Sequence, residues 1–217
     1  MCRRVLALAA VCAAAACSSG SGGHASADIT KIADVKSSFG PGFQVKDIAK
    51  TGVDPQVLSS RKLPEGLKFE PANCAKFVIG EQVPPGVQGN MAAVTAEGDG
   101  ARYIAIALQT SQPVPLNDPG RNCKKVAFQG RGVRGFLEVV EAPQIKGVRT
   151  LGVHRILQTI AGGRPRTGEM YNYSAHFGDY QVIVTANPLV APDRPVAAVD
   201  TQRARDLLTA AVAAVRT

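Results

Sequence analysis

The hydrophobic pattern changes its period several times along the chain. Residues 5–16 form an uninterrupted apolar run, and residues 18–27, SSGSGGHASA, have no apolar spacing at all. From Asp28 onward, Ile29, Ile32, Val35 and Phe39 recur close to helical spacing until Gly40-Pro41-Gly42 stops them, which predicts a short amphipathic helix. Phe43, Val45 and Ile48 open an edge strand. Residues 51–89 are rich in Pro and Gly, with a helical turn around residues 71–77 that presents Cys74.

Beyond Asn90 the period becomes two. Tyr103, Ala105 and Ala107 alternate with Ile104, Ile106 and Leu108, and Gly98-Asp99-Gly100 before them signals a hairpin turn. Residues 135–141 alternate again, residues 149–160 predict a long strand, and residues 161–165 a loop. Residues 170–177 form its partner strand, and Gly178-Asp179 turns the chain into residues 180–186. Residues 91–110 and 171–188 resemble each other, as two hairpins generally do. At the C-terminus Ala204, Leu207, Leu208, Ala211, Val212 and Val215 form one stripe of a helix that Asp200 or Thr201 can cap. Strands joined by short turns predict an antiparallel meander. The fold class is therefore α+β: a sheet packed against N- and C-terminal helices, its other face partly open.

The N-terminal run changes the picture of where the protein works. Arg3 and Arg4 supply a positive start, residues 5–16 an apolar stretch too short to span a bilayer, and Ala14, Ala15 and Ala16 lead into Cys17. That order predicts a lipoprotein signal, residues 1–16, with lipid attached at Cys17. Residues 17–27 then form a Gly/Ser-rich tether, and residues 28–217 a single globular domain. Cleavage after Ala25-Ser26-Ala27, giving a soluble secreted protein, is the alternative. The expected location is the outer face of the cytoplasmic membrane, in the cell envelope, with the membrane as partner through the anchor.

Cysteine usage follows from that location. Cys2 and Cys12 leave with the signal and Cys17 carries lipid, so Cys74 and Cys123 remain as an even pair in an oxidising compartment, which predicts one disulfide. Two lone cysteines without a CxxC supply too few ligands for a metal, and no cofactor motif occurs. Loss of Arg3 and Arg4 takes the formal charge from +8 to +6. The basic residues are scattered, and the compartment excludes nucleic acid as a partner.

Catalytic motifs are absent. No G-x-S-x-G, H-E-x-x-H, Walker or dinucleotide pattern occurs, and the three histidines are His24 in the tether and His154 and His176 in separate predicted strands. The expectation is a non-enzymatic domain. His176 shares a strand face with Asn172 and Ser174, opposite Tyr171, Tyr173 and Phe177. This row is the candidate binding face, set against the simpler reading of a solvated strand face. A second candidate is the seam beneath Leu207 and Leu208. Glu138 and Glu141 fall on opposite faces of their strand and read as edge charges, and His154 as a structural or half-exposed histidine.

Together these segments resemble a known family. The lipoprotein signal, the opening DITKIADVKSSFGPGF, the central EVVEAPQIKGVRTLGVHR and the closing YNYSAHFGDYQVIVTANPLVAPDRPVAAVDTQRARDLLTAAVAAVR are similar to mycobacterial lipoproteins of a domain family without assigned function. The resemblance spans nearly the whole mature chain and implies no activity and no catalytic residues. More loosely, a tethered α+β exodomain with two cysteines is similar in architecture to the extracellular sensor domain of mycobacterial Ser/Thr kinases. The sequence leads to two expected functions. One is a binding or accessory domain for an envelope lipid or other apolar ligand; the other is an interaction or sensor-like module that touches an envelope protein and needs no pocket.

Overall fold

The computed structural model describes residues 27–53, 66–80, 83, 86–130, 132–161, 164–190 and 195–217. Cys17, His24, the signal and nearly all of the tether lie outside the described residues, as does the centre of the loop expected at residues 161–165. Nine strands form one sheet: β1 (Gln44–Gly52), β2 (Lys68–Glu70), β3 (Gly89–Gly98), β4 (Ala101–Thr110), β5 (Lys125–Gly130), β6 (Val133–Val140), β7 (Arg149–Ala161), β8 (Arg164–Phe177) and β9 (Tyr180–Pro188). Their spatial order is β1-β3-β4-β9-β8-β7-β6-β5-β2. Every neighbouring pair is antiparallel. The stretch from β5 to β9 is the meander expected from the short turns. The β3–β4 hairpin joins it through β4 and β9, paired about Ala105 and Val184.

The two terminal helices sit on one face. The segment from Ile29 to Ser38 is a 3-10 helix rather than an α-helix, and Ile29, Ile32 and Val35 are its buried side chains. Their strict spacing of three matches the 3-10 repeat, in which residues i and i+3 eclipse, so a single stripe meets the core. Asp28 caps it by accepting from the Thr30 backbone at 2.9 Å. The Asp28 amide in turn donates to Val215 O at 2.8 Å, tying the start of the domain to its end. The C-terminal helix, α2 (Thr201–Val215; α1 is the short helix Ala75–Ile79), buries the whole predicted stripe, and Asp200 is its cap, accepting from the Arg203 amide. Beneath these helices lie Tyr103, Ala105, Ala107, Tyr173, Val182 and Val184.

The other face is not simply open. Cys74, Phe77, Val78, Val126, Phe128 and Leu137 form a second, smaller core on it. Cys74 precedes α1 and is disulfide-bonded to Cys123, the pairing expected from the sequence. Phe128 lies over Gly135, where a Cβ would come within 2.1 Å of its ring, so this strand face accommodates the aromatic only because Gly135 has no side chain.

Two expectations need correction. β8 begins six residues earlier than its predicted start because Arg164–Glu169 pair with β7 while their side chains stay exposed or half-buried, leaving no alternating pattern to read. Pro165 is tolerated there because β9 pairs with β8 only from Tyr171 onward, so its nitrogen side faces a free edge. Glu138 is not an edge charge: β6 is flanked by β5 and β7, and Glu138 pairs with its cross-strand neighbour Lys125 at 2.6 Å, while Glu141 lies just past the strand.

The disulfide closes a sequence separation of 49 residues. By the chain-entropy argument a loop of that size contributes about 4 kcal/mol. Cys123→Ser is therefore expected to lower unfolding stability by roughly that amount in urea titration. A midpoint unchanged from the unreduced wild type would contradict this.

Candidate functional site

β8 supplies side chains to both faces. Its odd positions, Tyr173 and Ala175 among them, enter the core beneath the helices, while Asn172, Ser174 and His176 point to the opposite face. The alternation read from the sequence is therefore the alternation observed, but that face is not solvated. The three side chains line a partly enclosed cavity of about 440 Å³. This lies in the size range of small-molecule sites, ~300–1,000 Å³.

The floor of the cavity is the sheet. β4 contributes Ile106 and Leu108, β9 contributes Gln181 and Ile183, and β7 contributes Leu151 and Val153. Direct cross-strand pairing sets them side by side, Ile106 with Ile183 and Ser174 with both Ile183 and Leu151. The cover comes from the segment around α1 and from residues 114–117. Asn117 Nδ2 donates to Phe77 O at 2.9 Å and Arg155 Nη2 to Val78 O at 3.2 Å, so both side chains hold α1 over the sheet. The disulfide fixes the same segment. At the seam beneath α2, the other candidate, Leu207 and Leu208 are buried against the helix-side core, and a cleft of about 400 Å³ lined by Phe39, Arg203 and Leu207 opens beside them.

The polar row has defined partners. His176 Nδ1 lies 3.2 Å from Val114 O, and its Nε2 lies 3.0 Å from Gln181 Nε2. Asn172 Nδ2 donates to Thr185 Oγ1 at 3.1 Å. Ser174 is 8% exposed, and its hydroxyl has no hydrogen-bond partner among the described residues. Burial, first, and the neighbouring Arg149 charge hold the His176 pKa below its ordinary value, against the opposing hydrogen bond to Val114. The ring is therefore neutral at neutral pH.

His154 belongs elsewhere. It lies on the helix-bearing face, stacked on Tyr171 with ring centroids 4.2 Å apart, and its Nε2 meets Glu169 Oε1 at 2.9 Å. The Tyr171 hydroxyl also donates to Glu169, at 3.3 Å. Burial and the Glu169 charge raise the Tyr171 pKa, which makes that phenol a poorer acid. The structure thus separates the two histidines by the thickness of the sheet. Among the described residues no group of three or more His, Cys, Asp or Glu is placed to hold a metal ion.

Parity along β8 groups Asn172, Ser174 and His176, but the apolar floor and the cover of this cavity were not read from the sequence. Phe77, Asn117 and Arg155 stand in segments of irregular or merely strand-like pattern, and only the cysteine pairing shows that two of these segments meet over the sheet. A stronger signal lay in β4. Both of its faces are apolar, as in a strand covered on two sides.

A family profile described as a domain of unknown function, DUF5642, matches residues 28–216. The X-ray structure of an uncharacterized protein from Mycobacterium smegmatis, an Rv0999 ortholog, is 64% identical and covers 88% of this chain and 98% of its own, with a TM-score of 0.82. The extracellular domain of PknH from Mycobacterium tuberculosis matches at 13% identity over 86% of this chain and 92% of its own, with a TM-score of 0.38. No curated protein matches. The family likeness read from the quoted segments is borne out.

The neutral His176 has a consequence for acid stability. Its folded pKa lies below the ordinary value of about 6.5, so in the unfolded chain the ring binds a proton at a pH where the folded ring does not. Stability is full above about pH 6.5 and falls as the pH drops through the folded pKa. Urea midpoints measured at neutral and at acid pH should differ less for His176→Gln than for wild type. Identical pH slopes would contradict the assignment.

Proposed function

This chain belongs to the family of the domain of unknown function DUF5642, and we propose that it is a membrane-anchored lipoprotein of the cell envelope whose domain binds an envelope lipid or other apolar ligand without transforming it. The observation that carries this reading is the cavity of about 440 Å³ against the sheet, with its largely apolar lining and a few polar side chains. An apolar site with a few placed polar groups is the usual form of a small-molecule pocket. The competing reading, an interaction module, calls for a flat polar face where this cavity stands.

A non-enzymatic role is supported by the positions of the histidines. Acid–base or nucleophilic catalysis needs groups converging within hydrogen-bond reach. His176 has its two nitrogens engaged by Val114 and Gln181, and His154 is stacked and paired on the other face. The anchor rests on the small residues and apolar run before Cys17. One chain of lipid gives only reversible attachment, whereas a diacylglycerol with an added acyl group gives a stable one.

Two measurements test this. Cys17→Ala is expected to move the protein out of the membrane fraction or leave it unprocessed, and unchanged attachment would refute the anchor. Protein purified from its own envelope should carry a lipid detectable by mass spectrometry of an organic extract. That lipid should be lost from Ile183→Trp, which fills the cavity floor. Equal recovery from wild type and from Ile183→Trp would refute the cavity as the binding site.

A further inference from the structure

The hydrogen bonds of the polar row constrain what its ligand must offer. Val114 O can only accept, so His176 Nδ1 at 3.2 Å carries the hydrogen and Nε2 presents a lone pair. Gln181 Nε2, 3.0 Å from that lone pair, is therefore the donor, and this fixes the orientation of the Gln181 amide. Its carbonyl oxygen is left as an acceptor in the lining. Asn172 gives its amide hydrogen to Thr185 Oγ1 and likewise leaves a carbonyl oxygen. Between them on the strand stands Ser174, nine-tenths buried and lining the cavity, with no hydrogen-bond partner among the described residues.

Resting on the reading of this cavity as a ligand site, we infer that it takes a hydrocarbon chain ending in an uncharged hydrogen-bond donor, in the simplest case an alcohol, in preference to a carboxylate. A hydroxyl can donate to the carbonyl oxygen of Asn172 or Gln181 while accepting from Ser174. A carboxylate can accept from Ser174 but cannot donate, and would set its charge against those two oxygen atoms; the exposed Arg149, cross-strand from His176, is the positive charge at that end of the row. An ester accepts from Ser174 and leaves both carbonyl oxygens unanswered. The chain itself lies on Ile106, Leu108 and Ile183. Arg155 also lines the cavity, beside Met170 and one same-face step along β8 from Asn172, and its Nη2 donates to Val78 O. A carboxylate bound at that end is the outcome that would speak against the inference.

Residues 28–217 contain both cores and every described element, so the test uses this soluble domain. N-phenyl-1-naphthylamine, an uncharged fluorescent probe, is bound and then displaced by 1-dodecanol, methyl dodecanoate or dodecanoate at about pH 7.5, where the carboxylate is ionised. Dodecanol is expected to displace at about tenfold lower concentration than either of the others. Ser174→Ala and Asn172→Leu should each reduce that preference, read as the ratio of dodecanol to dodecanoate displacement within each variant, and Ile183→Trp should abolish probe binding. Dodecanoate displacing as well as dodecanol, or a preference that survives both polar-row substitutions, overturns the head-group assignment and leaves the cavity reading standing. Probe binding that is equal in wild type and Ile183→Trp overturns the cavity reading and this inference with it.

Discussion

The structure depends on β4, an inner strand of its sheet, being apolar on both faces from Tyr103 to Leu108, with Ile183 of β9 extending the second face. Tyr103, Ala105, Ala107, Val182 and Val184 require cover on one side, and Ile106, Leu108 and Ile183 require it on the other. Burying such side chains on one face alone would leave the other as a large exposed apolar patch. The chain meets the first demand with its two terminal helices, joined through the Asp28 amide and Val215 O. It meets the second with a short segment around α1, whose Phe77 and Val78 pack in the smaller core. The disulfide, Asn117 and Arg155 add to that packing. The two covers differ in kind, one made of apolar helix stripes and the other of a short segment tied down by a cross-link and side-chain hydrogen bonds.

That difference explains which parts of the fold were legible. The C-terminal stripe from Ala204 to Val215, its Asp200 cap, the hairpin turn at Asp99 and the turn at Gly178 all follow from local patterns, because in each the residues that decide the structure are neighbours in sequence. β2 is three residues long and pairs only with β5, so nothing within it distinguishes it from loop. β5 does alternate, with Val126 and Phe128 buried, but its place in the sheet depends on pairing with β6 and β2. The 3-10 geometry of the first helix was present in the spacing of Ile29, Ile32 and Val35, which differs from α-helical spacing only by omitting the fourth-residue step.

The candidate site was half legible for the same reason. Parity along β8 places Asn172, Ser174 and His176 together without reference to any other strand. Whether that row is wet or buried depends on residues 74–80 and 114–117, which reach it through a disulfide and through side chains bonded to backbone carbonyls. Neither kind of contact has a period. The alternation of Tyr103, Ala105 and Ala107 with Ile104, Ile106 and Leu108 did contain the answer, since a strand with water on one side has no reason to carry isoleucine and leucine there. The polar row was weighed as a solvated face on the composition of β8 alone, when its neighbour but one, β4, argued for cover.

β8 is also where the two halves of the molecule are coupled. Its odd side chains pack beneath α2 and its even ones line the cavity, so a shift of one residue in register would exchange Tyr173 for Asn172 or Ser174 in the core. Pairing on both sides prevents this, with β7 along its whole length and with β9 from Tyr171 to Phe177. The polar row is thus held by a strand paired on both sides where the row stands. Its cover is held by one disulfide, a few hydrogen bonds and the packing of Phe77 and Val78 in the smaller core. The row that would recognise a ligand is therefore set by the register of the sheet, and the enclosure above it by contacts between segments distant in sequence.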